Sequence, residues 1–191
     1  MLMKYKLEAR RRREGIVFLF LFALTIPVAN WLIGNVGTKC VPNGPCLIPV
    51  GPGLMTPSGV TMIGIALVLR DLVQRRLGVG VAVGAILAGA ALSALVAPPA
   101  LVFASAAAFL LSELADFAVY TPLARRRLVL AVIASSLVGL VVDSIVFLWL
   151  AFGSLDFLAG QVVGKAWMVL IAIPFVAWLR HRDEKSGMAP A

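Results

Sequence analysis

Ser112-Glu113-Leu114-Ala115-Asp116-Phe117-Ala118-Val119-Tyr120 closes an otherwise apolar run that begins at Ala100, and its reading decides the fold. On a helix, Glu113 and Asp116 stand three residues apart and share a face, with Phe109 and Tyr120 above and below them. A charge at the centre of a membrane-crossing helix costs ~2.5–3.5 kcal/mol even on a lenient insertion scale. Two carboxylates on one face need a cationic partner, a water-filled cavity or a ligand. The remaining helices are expected to house that face.

Composition places the chain in a membrane. Of its 191 residues, 61% are hydrophobic and 14% charged, and the mean hydropathy is +1.01. A soluble domain of this length could not hide so much apolar surface. The net charge of +8 does not point to nucleic acid, because fifteen of the seventeen basic residues flank apolar runs. Lys4, Lys6 and Arg10 to Arg13 precede the first run, and Arg70, Arg75 and Arg76 follow the second. Arg125 to Arg127 follow the fourth, and Arg180, Arg182 and Lys185 follow the last. By the positive-inside rule both termini are cytoplasmic, and the basic clusters suit an anionic leaflet.

The runs predict an all-α bundle of six membrane helices over residues 16–179, between a basic cytoplasmic segment (1–15) and a cytoplasmic tail (180–191). The first helix, Ile16 to Gly34, is too long for a secretory signal and lacks a small-residue cleavage pattern. An external loop over 35–57, rich in Gly and Pro, holds Cys40 and Cys46. A disulfide is permitted there, with Pro42 to Pro45 as its turn, and two free thiols remain the alternative.

The second run, Pro57 to Leu69, reaches spanning length only by continuing through Arg70 and Asp71 towards Leu77, with Arg70 snorkelling to the inner surface. The third, Val79 to Ala97, is dense in Gly and Ala, so it is expected to pack closely within the bundle or along a homodimer seam. Pro98 and Pro99 form a turn before the fourth helix, Ala100 to Tyr120. The fifth spans Leu128 to Phe152, and a turn over Gly153 to Gly160 leads to the sixth, Gln161 to Leu179.

Asn30, Glu113, Asp116, Asp143, Gln161 and Lys165 fall within or at the lip of these spans. Lys165 can pair with Asp143 or with Glu113 to hold helices together. Three acids nonetheless meet one base, so at least one acid must be protonated, hydrated or paired by a ligand. No metal, cofactor or nucleophile motif accompanies them, and the sole histidine, His181, lies in the tail. A membrane-embedded acid-pair protease or lipid-modifying enzyme stays open on the acids alone, and the chain is read as a non-enzyme.

From about Phe20 to Leu179 the sequence resembles the queuosine precursor transporter (VUT) family of small bacterial membrane proteins. The resemblance rests on Ala29-Asn30-Trp31-Leu32, on Ser58-Gly59-Val60 with Arg70-Asp71 and Leu77-Gly78, and on Glu113-Leu114-Ala115-Asp116. Ser135-Ser136, Asp143-Ser144 and Gly164-Lys165 complete it. The loop with Cys40 and Cys46 departs from it.

The resemblance implies a bacterial inner-membrane importer of 7-cyano- or 7-aminomethyl-7-deazaguanine. It also implies a fold similar to the substrate-binding subunits of energy-coupling-factor vitamin transporters. A carboxylate among Glu113, Asp116 and Asp143 would accept the two adjacent N–H donors of a guanine-like edge, while Lys165 or Asn30 donates to its carbonyl. Phe109, Phe117, Tyr120 and Trp167 are candidates to stack on the base. Interfacial anchoring is the other reading of Trp31, Trp149, Trp167 and Trp178.

Two rivals remain. A substrate-capture subunit would dock to an ATPase module through a small-residue stripe on the first helix, but Ala23 and Ala29 are six apart and form no such stripe. A membrane scaffold would bind no deazapurine.

Overall fold

The computed structural model describes residues 2–40, 45–97 and 101–189. The turns expected at Pro42 to Gly44 and at Pro98 and Pro99 lie outside the described residues. Six helices are present among those described: α1 Leu2–Asn35, α2 Val60–Leu77, α3 Val79–Val96, α4 Val102–Leu123, α5 Leu128–Phe152 and α6 Leu158–Ser186. All but α2 are long and apolar enough to cross a bilayer.

Large apolar side chains such as Phe20, Leu24, Leu87, Phe103 and Ile171 stand exposed around the outside. Hydrocarbon, not water, is the solvent that suits such a surface. The chain is a multi-pass membrane protein.

The one helix that falls short of a membrane span by composition is the most enclosed. α2 touches all five of the others, and twelve of its eighteen residues are buried, Arg70, Asp71, Arg75 and Arg76 among them. Lipid would strand those charges without partners, whereas protein on every side can supply them.

Close approach to α2 depends on small residues. At Gly64 a Cβ would lie 2.7 Å from the Lys165 carbonyl oxygen and 2.9 Å from Met168 Cβ on α6. At Gly139 on α5 a Cβ would lie 2.8 Å from Leu67 Cδ2 and 3.0 Å from Asp116 Cβ. On α3 the buried face is Ala82, Ala85, Ile86, Gly89 and Ser93.

Three elements differ from the expected boundaries. The basic segment is helical, α1 being continuous from Leu2 through it. α6 likewise runs past Leu179 into the expected tail, ending at Ser186 before Gly187 in the left-handed region. The expected loop over 35–57 is largely an antiparallel sheet, β1 Lys39–Cys40, β2 Cys46–Gly51 and β3 Leu54–Pro57.

Cys40 and Cys46 are cross-strand partners joined by a disulfide. Pro52 and Gly53 turn β2 into β3, with Gly53 at φ +70° as such a turn demands. The sheet is strapped across one end of the bundle. Ser58 Oγ donates to the Leu32 carbonyl on α1 at 2.7 Å, and Trp167 Nε1 donates to the Val50 carbonyl at 3.1 Å.

At the opposite, basic end Asp183 of α6 accepts from Arg75 and Arg76 of α2, and Glu14 of α1 pairs with Arg76 and Arg182. Ion pairs therefore clamp α1, α2 and α6 where their apolar stretches end.

Gly64→Val should push α2 off α6 at the level of Lys165. Overpacking of this kind costs about 1–3 kcal/mol, so the melting temperature in detergent should fall measurably. An unchanged melting temperature would contradict this α2–α6 packing.

Candidate functional site

A cleft opens towards the sheet end, between α1, α2, α4, α5 and α6, with about 800 Å³ of free space including its open mouth. Its walls are largely apolar, with Phe109 and Phe147 among them, and its polar groups include Asn30, Glu113, Asp143 and Gln161. Glu113 lies eleven residues into α4 and Asp143 nine from the end of α5. At 1.5 Å per residue both carboxyls sit roughly 14–17 Å deep, near the centre of a bilayer about 30 Å thick.

Phe109 is held against Phe22 with ring centroids 6.0 Å apart. Gly89 makes room for it, since a Cβ there would lie 2.7 Å from the ring.

Behind the cleft lie two buried ionic clusters. In the first, Lys165 Nζ donates to Asp143 Oδ2 at 2.5 Å, Ser144 Oγ at 2.7 Å and Gln161 Oε1 at 2.9 Å. All three ammonium protons are thereby used. In the second, Arg70 gathers three acids. Its Nε donates to Glu113 Oε2 at 3.1 Å, its Nη2 donates to Asp116 Oδ1, and its Nη1 lies 2.9 Å from Asp71 Oδ1. Nη1 also donates to Gln74 Oε1 at 3.3 Å.

The Phe117 and Tyr120 rings each lie 5.6 Å from the guanidinium carbon, offering it their electron-rich faces. Ser135 Oγ donates to Asp71 Oδ2 at 3.1 Å. Four acids, Asp71, Glu113, Asp116 and Asp143, thus share two cations.

The placement of the expected residues divides them. Phe109, Asn30, Glu113, Asp143 and Gln161 line the cleft. Asn30 also caps its own helix turn, its Nδ2 donating to the Ile26 carbonyl at 3.0 Å. Asp116 and Lys165 are fully buried behind the cleft and do not line it. Asp116 Oδ1 accepts from Arg70, and Lys165 donates to Asp143, Ser144 and Gln161.

Trp167 lies apart from the cleft as well. It is about half exposed on the outside of α6, tied to the sheet and not stacked in the cleft. Phe117 and Tyr120 likewise face Arg70. Arg70 does not snorkel. It is fully buried, because α4 supplies it two carboxylates. Of the two pairings open to Lys165, the one formed is with Asp143.

The sequence reading missed Arg70 and Asp71 as members of the buried network, and Phe147 as a wall. The signal for Arg70 lay in charge parity, since three acids with one lysine leave a second cation wanting.

Residues 90–179 match a family of transporters. Its description is "Putative vitamin uptake transporter". The match runs from late α3 to the end of the apolar stretch of α6, a little under half of the chain. It contains Glu113, Asp116, Ser135, Asp143 and Lys165. The chain is therefore similar to vitamin-uptake-type membrane transporters over the helices that supply the cleft's acids. No curated protein and no solved structure matches the chain.

Removing one member of a buried ion pair leaves the other charge unpaired, at about 3–5 kcal/mol. Lys165→Met should therefore lower the melting temperature steeply, and adding Asp143→Leu should restore much of the loss. Equal melting temperatures for Lys165→Met and the unaltered protein would contradict the pairing.

Proposed function

We propose that the chain imports a queuosine precursor, 7-cyano- or 7-aminomethyl-7-deazaguanine, by itself and without an ATPase module. The observation that carries this reading is an apolar cleft whose floor is formed by two carboxyl side chains, Glu113 and Asp143.

A deazaguanine is flat, and one edge presents two adjacent N–H donors beside a carbonyl. A carboxylate has two oxygens side by side, so it can accept both donors at once. Glu113 commits one oxygen to Arg70, and a substrate edge would compete for that bond. Phe109 and Phe147 supply faces for stacking, and the amides of Asn30 and Gln161 can donate to the carbonyl. The aminomethyl form adds a cation for which Asp143 is the second acid. The similarity of residues 90–179 to a vitamin-uptake family supports the transport class.

Orientation follows from charge. Arg75, Arg76, Arg125 to Arg127 and Arg180 gather at the end opposite the sheet, and basic residues prefer the cytoplasm. The disulfide-bonded sheet then faces the oxidising exterior, in a bacterial inner membrane, and the cleft opens outwards. Six spans with both termini inside complete this topology.

Two measurements test the reading. A precursor at about 100 times its Kd should stabilise the purified protein by roughly 2.7 kcal/mol, while adenine, which lacks the paired donors beside a carbonyl, should not. Glu113→Gln and Asp143→Asn should each cut precursor uptake by more than about tenfold, with membrane levels maintained. Undiminished uptake by both variants would refute the site, and no thermal shift with either precursor would refute the substrate class.

A further inference from the structure

Lys165 is fully buried behind the cleft, yet it governs what the cleft presents. An ammonium group can only donate. The Gln161 atom 2.9 Å from Lys165 Nζ is therefore the oxygen, and Nε2 is the other end of the amide. Gln161 itself lines the cleft. Its Nε2 has no hydrogen-bond partner among the described residues and is not sealed in, so its opening is onto the cleft.

The polar groups around it face the other way. Asn30 spends its Nδ2 on the Ile26 carbonyl, which leaves Oδ1 as the end turned off the helix. The hydroxyls of Thr25 and Ser112, also in the wall, donate to the carbonyls of Phe22 and Phe109 on their own helices. Glu113 and Asp143 accept. Among acceptors, Gln161 is the uncommitted amide donor.

Its position also matters. The same Lys165 Nζ binds Asp143 Oδ2, so the Gln161 amide stands beside the Asp143 carboxyl. That order matches the perimeter of a 7-deazaguanine. The 2-amino and N1 hydrogens come first, then the 6-carbonyl, then the substituent at position 7 on the carbonyl's side. With the paired donors on Glu113 and the 7-substituent towards Asp143, the carbonyl falls to Gln161.

We propose that Gln161 is the residue that selects a 6-oxo base, its Nε2 donating to the carbonyl, and that Lys165 is the positioning residue that holds the amide in that sense. The inference rests on the import reading above and deepens it. Lys165 does not touch the solute; it decides which end of Gln161 does. An amide free to turn over would serve a 6-amino base as readily, through Oε1. With Lys165 in place, a 6-amino group would meet N–H with N–H and leave a buried donor unpaired. The cation that neutralises Asp143 thereby also sets the selectivity of the cleft.

The experiment compares 7-cyano-7-deazaguanine with its 6-thio analogue, which keeps the two N–H donors but replaces the carbonyl by a weak acceptor. Both are titrated calorimetrically into the full chain in detergent, and the readout is the ratio of the two Kd values. That ratio does not depend on the folded fraction of a variant. The unaltered protein should favour the 6-oxo compound by about tenfold, as one hydrogen bond to a buried donor would give. Gln161→Met should bring the ratio close to unity by weakening the 6-oxo compound alone, whereas Asn30→Ala should keep it. Lys165→Met, made together with Asp143→Leu so that no buried charge is left unpaired, should lower the ratio several-fold with Gln161 intact. Lys165→Arg, which again can only donate, should keep it.

Equal affinity of the unaltered protein for both compounds overturns the role of Gln161 while leaving import standing. A ratio that survives Gln161→Met overturns the assignment to this residue, and collapse in Asn30→Ala would move the contact there. An unchanged ratio in the Lys165→Met, Asp143→Leu protein overturns the positioning role. No binding of either compound refutes the import reading, and the selectivity falls with it.

Discussion

The structure depends on one guanidinium placed where a membrane protein can least tolerate it. Arg70 lies ten residues into α2, fully buried, with Glu113 and Asp116 of α4 and Asp71 of its own helix around it. An arginine there is stable only if α4 presents its acids and the other helices exclude lipid. Conversely, those acids are tolerable only because Arg70 is there. The arrangement binds α2 into the middle of the bundle and fixes which face of α4 turns inward.

The glycines follow from that constraint. Gly139 lets α5 close over Asp116, and Gly64 lets α6 approach α2 beside Lys165. The second ion pair, Lys165 with Asp143, then forms across α5 and α6, and the space left between the two clusters and the sheet is the cleft. Its walls are apolar because they belong to membrane helices. Its floor is acidic because Glu113 and Asp143 each belong to one of the clusters and reach the cleft as well.

Much of this was legible in the residues. Glu113, Asp116 and Tyr120 share the buried face of α4, as their spacing of three and four dictates. The apolar runs marked the six helices, although α1 begins well before its run and α6 continues well past the end of its own. Three features were hidden. Arg70 looked like the end of a span because the hydrophobic run stops at Leu69, and nothing local says that five helices will surround the next turn. The strands of the sheet were masked by Pro49 and Pro57, which break the alternation that signals a strand. Trp167 could stack or anchor, and only the position of β2 decides that its indole meets the Val50 carbonyl. Pairing between helices distant in sequence is what local pattern does not carry.

The central claim is that the acidic floor of the cleft grips a flat, guanine-like solute. The most direct measurement is an experimental structure of the protein with 7-aminomethyl-7-deazaguanine. The account predicts a planar ligand between Phe109 and Phe147, its donor edge on the Glu113 carboxylate and its aminomethyl group towards Asp143. A cleft filled by a lipid acyl chain at saturating ligand, with Glu113 still bound to Arg70 and Asp143 to Lys165, would contradict it.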